Sequence, residues 1–213
     1  MPSKVLEDFL DKKQGALLAS LTSPVKIQAF LDATPYSASD ENRCPLRVMQ
    51  DRQAHCLDGG LFAAAALRRL GFPPLIVDLL PEPGMDDDHI LAVFNYRGCY
   101  GAVAKSNFTG LRFREPVFRS LRELVMSYFE DFFNVDRLKT LRGYTRPVHL
   151  ASFDRLEWEV SDHGANAIEK YLYKLHPTPV LSPGLANELS FTDQLSYQAG
   201  MLGTNPAGLF KPK

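Results

Sequence analysis

The run "CLDGGLFAAAALRRLG", residues 56 to 71, is the part of this chain that most restricts its fold. Alanine favours helix and Gly71 supplies a C-terminal stop. A helix surfaced with alanine lets its axis come close to a sheet, with Arg68 and Arg69 turned outward. Gly59 and Gly60 each cost about 1 kcal/mol of helix stability relative to alanine. A purely structural helix gains nothing obvious from them, so they are read as leaving room for a substrate beside Cys56. Cys56 itself stands at the helix start, where the macrodipole and unpaired N–H groups favour a thiolate.

The flanking sequence supplies the sheet. "PPLIVDLL" reads as a buried strand, and "HILAVFNYRGCYGAVAKS" as two strands around a turn at Arg97-Gly98. "SKVLEDFLDKK" and "SPVKIQAFLDA" read as helices, and "TPYSASDENRCP" as a polar loop. "RSLRELVMSYFEDFF" reads as an amphipathic helix opened by a capping box of Ser120 and Glu123. The order helix, strand, strand, strand, helix defines an α+β class, a helix packed on an antiparallel sheet. After Pro147 the pattern weakens. "DRLEWEV" fits either strand or helix, "ANAIEKYLYKL" a helix and "HPTPVLSPG" a linker. The expected organisation is a core over residues 1–150 and an extension over 151–213, with a helix and a flexible tail packed on the core.

Charge and composition narrow the function. The 24 basic and 25 acidic side chains give no electrostatic footprint for nucleic acid or an anionic membrane. "LFAAAAL" is too short to span a bilayer, and the acids in "MPSKVLEDFLDKK" do not fit a secretory signal, so the chain is expected to be cytoplasmic. The three cysteines form no CxxC pair; no thiolate zinc site and no cofactor is expected. Cys44 and Cys99 are expected to be inert. Nothing in the sequence fixes the oligomeric state.

A nucleophilic cysteine needs a base, and the base an orienting partner. His89 opens the strand that follows the helix and the first strand, enough chain to bring its imidazole back to the helix start. The next strand, "YGAVAKSN", offers Ser106 or Asn107 to fix the imidazole tautomer; Ser106 shares a strand face with Ala104. The acids Asp86, Asp87 and Asp88 are expected to raise the His89 pKa and support a thiolate–imidazolium pair. His55 reads as a hydrogen-bonding neighbour.

"AHCLDGG" with its alanine helix, then "DDDHILAVF", a hairpin and a polar residue, resembles the transglutaminase-like superfamily of the papain-like fold. The resemblance covers about residues 23–147, with its motifs in 50–107. It implies a Cys-His-Asp or Cys-His-Asn triad and thiol-based acyl chemistry on amides, with Cys56 as nucleophile, His89 as base and a peptide or other amide as substrate. The superfamily's aspartate is missing; Asn107 stands in for it, with Ser106 as rival. Gln50 lies upstream of Cys56 at the separation where papain-like proteases carry an oxyanion-binding glutamine. Gln53 and His55 are alternatives, beside the backbone N–H of Cys56.

The missing carboxylate supports a second expectation, an inactive domain that binds a peptide or protein in the cleft. A third is metal-dependent hydrolysis at His89 with Asp86 or Asp88.

Overall fold

The computed structural model describes residues 5–212. The expected N-terminal helix begins at Ser3, and Ser3 and Lys4 lie outside the described residues, as does Lys213. From Val5 onward that helix is a 3-10 turn over Leu6–Phe9, followed by α1 (Lys12–Ser20), which Asp11 caps through the N–H of Gln14. Leu6 is buried whereas Phe9 is exposed, so the anticipated apolar face is broken after one turn.

Next come α2 (Pro24–Asp32), α3 (Pro45–Asp51) and α4 (Cys56–Arg69). The sheet then begins with β1 (Leu75–Pro81), β2 (His89–Tyr96), β3 (Cys99–Val103) and β4 (Arg114–Phe118). The rest of the chain holds α5 (Leu121–Met126), β5 (Leu141–Tyr144), β6 (Val148–His149), α6 (Asp162–Leu172), β7 (Thr178–Pro179) and α7 (Gln194–Gly200). The strand order is β4-β3-β2-β1-β5-β7, with β6 also on β1, and every pair is antiparallel. The chain is therefore α+β.

Strand alternation sorts the core into two layers. Ile76, Ile90, Ala92, Phe94 and Val103 face α4 and the helices around it. Val77, Leu79, Leu91, Val93 and Ala102 face the other way, toward Leu124, Val125, Tyr128 and Phe132. Each fully buried leucine contributes about 1.5–3 kcal/mol relative to an exposed one, so α4, with Leu57, Leu61 and Leu67 inside, is anchored along its length.

The two glycines of α4 serve this packing. A Cβ on Gly60 would lie 2.5 Å from Cγ2 of Ile90, and one on Gly59 would overlap Cβ of Lys105. Contrary to the expectation that they leave room for a substrate, both glycines belong to the helix–sheet contact, which only hydrogen side chains allow.

Two further expectations are corrected. The helix opened by Ser120 keeps its cap, with Ser120 Oγ accepting from Glu123 N at 3.1 Å, but α5 ends at Met126 and a 3-10 turn follows at Phe129–Asp131. The aromatics of this stretch are drawn to different places: Phe132 into the layer away from α4, Phe133 against Tyr197 and Gly200. "DRLEWEV" is neither strand nor α-helix; a 3-10 helix over Leu150–Leu156 leads to buried Trp158.

Candidate active site

The α4 start is built by its own cap. His55 Nδ1 accepts from Leu57 N at 3.2 Å, and Asp58 Oδ2 accepts from His55 N at 3.1 Å. Asp58 is fully buried and also accepts from Arg43 N at 2.6 Å, tying the preceding loop to the helix. Burial pushes the Asp58 carboxyl up to about 7, against the hydrogen bonds from Arg43 and His55. His55 is held below its usual value by burial and then by Arg43. It is the hydrogen-bonding neighbour the sequence suggested.

Cys56 and His89 line one narrow cavity of about 40 Å³, with Asp86, Asp87, Asp88, Ser106, Asn107 and Tyr36. Cys56 also opens onto a larger cleft of about 580 Å³ beside Tyr36, Asp87, Asp88 and Glu169. The thiol donates to the Asp88 carbonyl at 3.7 Å, so the sulfur sits against the residue that precedes His89. The imidazole makes its own bond elsewhere: Nε2 lies 2.7 Å from the Leu111 carbonyl. A carbonyl only accepts, so Nε2 carries the proton and Nδ1 keeps the free lone pair. His89 shares strand parity with Leu91 and Val93, and its ring meets Phe132 edge-on.

The electrostatics reverse the expected charge state. Burial pushes the Cys56 thiol well above its ordinary value, and the Asp88, Asp87, Asp78 and Asp58 carboxylates push the same way. Burial, with Arg114 adding, lowers His89 to about 4. The acidic run was expected to raise it; instead desolvation of an imidazole that is 4% exposed dominates, and the opposing contribution is the hydrogen bond to Leu111. At neutral pH the pair rests as thiol and neutral imidazole.

The remaining predicted residues are placed as follows. The Asn107 side chain holds the segment near the C-terminus: Nδ2 donates to the carbonyls of Asn205 (2.9 Å) and Gly208 (3.2 Å), and Oδ1 accepts from Asn205 N at 2.7 Å. Ser106 Oγ accepts from Phe108 N at 3.0 Å. The imidazole-orienting bond expected of one of them is made by Leu111 O. Gln50 is exposed on α3 and lines neither cavity. Gln53 lines neither one. Cys44 is buried, its thiol pushed up to about 12 mainly by burial; Cys99 is partly exposed on β3. Among the described residues, no group of three or more His, Cys, Asp or Glu side chains could hold a metal ion.

Three features escaped the sequence reading. Tyr36 lines both cavities from a loop whose polar composition hid it. Asp78 lies fully buried on β1, on the parity of Ile76, and neither carboxyl oxygen makes a hydrogen bond. Burial and the Asp88 charge raise it well above the usual carboxylate range. The third is the segment Ala207–Lys211, which lines the larger cleft. An aspartate inside an apolar strand such as "LIVDLL" was the one legible signal among them.

No family model matches this chain, and no curated protein matches it. Solved structures similar to it include Legionella pneumophila LapG, 14% identical, with a TM-score of 0.37 over 55% of this chain and 92% of that one. An EGTA-treated form of the same protein is 12% identical, with a TM-score of 0.43 over 81% of this chain and 100% of that one. Similarity at this level carries nothing about chemistry. No helix among the described residues is long and apolar enough to cross a membrane.

Proposed function

We propose that this chain is a transglutaminase-like, cysteine-dependent amide hydrolase or acyltransferase acting on peptides in the cytoplasm, with Cys56 as nucleophile and His89 as base. Residues 1–150 form its core and 151–213 an extension packed on that core. The observation that carries the reading is the shared cavity: a helix-start sulfur and a tautomer-fixed imidazole line it together. In the proposed reaction His89 Nδ1 takes the thiol proton as Sγ bonds to the amide carbonyl carbon. The backbone N–H of Cys56 supports the oxyanion. The imidazolium returns its proton to the departing amine as the C–N bond breaks, leaving a thioester. Water or an amine then displaces the sulfur, with His89 again the base. Leu111 O keeps Nε2 protonated throughout, the part proposed from sequence for Asn107 or Ser106.

A peptide bearing an electrophilic vinyl sulfone tests this. It should attach to Cys56, fail with Cys56→Ser and slow with His89→Ala. No attachment at Cys56, or attachment indifferent to His89, overturns the reading.

A second reading, a peptide-binding domain without catalysis, is favoured by the separate hydrogen bonds of thiol and imidazole, one to Asp88 O and the other to Leu111 O. It expects Cys56→Ser to keep full peptide affinity and biological effect.

A further inference from the structure

The cleft beside Cys56 is already lined by a peptide. Pro206–Gly208 forms a 3-10 turn whose first N–H groups are capped by Asn205, with Ala207 N donating to Asn205 Oδ1 at 3.1 Å. The chain then extends through Leu209, and residues 207–211 line the larger cleft while Gly208 and Phe210 also reach the narrow one. Thr109 Oγ1 bonds Ala199 O at 2.7 Å and holds the preceding helix, α7.

The contacts that seat this segment read its backbone. Asn107 uses its amide as both donor and acceptor, bonding two carbonyls and one N–H of the segment. Asn205 Nδ2 donates to Tyr36 O at 3.0 Å. Main-chain hydrogen bonds of this kind give affinity for a peptide, while side-chain pockets give selection. Selection here is steric and electrostatic. A Cβ on Gly208 would lie 2.9 Å from Cδ1 of Tyr36, so the ring admits glycine at that point. Asp40, Asp87, Asp88 and Glu169 give the larger cleft a negative lining, and Lys211 brings a positive charge to it.

We infer that the groove between Asn107 and Tyr36, which opens onto this cleft, binds turn peptides with glycine followed by apolar residues and a basic one, and that the chain's own residues 205–211 occupy it, wall the cavities that Cys56 lines and shield the sulfur. The inference rests on the proposed peptide chemistry for its substrate class. It makes Asn107 a clamp on peptide backbone, and the segment a competitor for the site.

The experiment uses the full chain. Iodoacetamide labelling of Cys56 is followed by mass spectrometry at pH 8, with Cys99 as internal reference. Gly208→Leu should raise the Cys56 rate about tenfold by increasing the fraction of open molecules. Asn205→Ala, which removes the turn cap without adding bulk, should raise it too. A synthetic peptide of residues 203–212, added at about 1 mM, the order a short tether provides, should protect Cys56 in the Gly208→Leu protein. Unchanged labelling in both variants, or no protection by the peptide, overturns the inference. His89→Ala separates the two proposals. If labelling rises on release but ignores His89, the groove stands and the nucleophile–base reading falls. If release changes nothing while labelling still depends on His89, the reverse holds.

Discussion

The Nε2–H of His89 ends on the carbonyl of Leu111, 2.7 Å away. That bond fixes the neutral tautomer and spends the ring's only donor on the backbone. Because a backbone carbonyl carries no formal charge, it orients the imidazole without favouring imidazolium as strongly as a carboxylate would. The low pKa of His89, about 4, follows from burial, with Arg114 adding and the Leu111 hydrogen bond opposing. A base so disposed acts only when a proton is delivered to it in the transition state.

Replacing His89 by alanine should therefore lower peptide-amide turnover by roughly 10²–10⁴-fold, the range of general acid–base catalysis. Gln50→Ala should leave turnover within a factor of two or so of wild type, because exposed surface changes away from a site are near neutral. Steady-state kinetics on one fluorogenic peptide checks both, and a large loss in the Gln50 variant would return that residue to the oxyanion site.

The Cys56 thiol, held high by burial and then by Asp88, should have no labelling plateau below pH 9. Its alkylation rate should climb about tenfold per pH unit from 7 to 9, as the thiolate fraction does well below a pKa. Asp88→Asn removes the largest charge acting on the sulfur and should speed labelling several-fold at pH 7. A plateau near pH 6 in the wild-type protein would mean a stabilised thiolate after all.

Acid should weaken the fold through His89. Its folded pKa of about 4 lies below the ordinary value of 6.5. Between those values the unfolded chain binds a proton that the native one refuses, so stability is lost as pH falls through that window. The full effect is about 3 kcal/mol at 1.36 kcal/mol per unit. Urea titrations from pH 7 to 4.5 should show this contribution in wild type and lack it in His89→Gln. Parallel curves would contradict it.

Gly60→Ala should destabilise by about 1–3 kcal/mol, despite alanine's better helix propensity, because its methyl meets Ile90 Cγ2 in a packed layer. A stabilised variant in urea denaturation would show that the helix and sheet can separate freely.

Much of this architecture is written in local patterns. The alanine tract that becomes α4 and the continuous apolar run that becomes β2 carry helix and strand preferences in their own residue types. The stretch after Ser120 does not: Tyr128, Phe129, Phe132 and Phe133 look like one helical face, yet tertiary contacts pull them to different partners and stop α5 early. At the site, Cys56 and His89 were legible because their chemistry and element boundaries coincide. The Leu111 contribution is a main-chain oxygen, which any residue type supplies, so no side-chain pattern announces it. Asn107 was legible as a polar residue near the site, but its true partner lies 98 positions away. The reach of a side-chain amide says nothing about which distant backbone will fold back to meet it.

Glu159 accepts the N–H of Leu6 across 153 positions, and the Asn107–Asn205 bond spans 98. Closures of that span are slow to form because so much chain entropy must be surrendered first. During translation, then, the sulfhydryl emerges from the ribosome long before Gly208 has been synthesised. The newborn polypeptide passes through a period of unguarded thiol chemistry that the finished molecule has left behind.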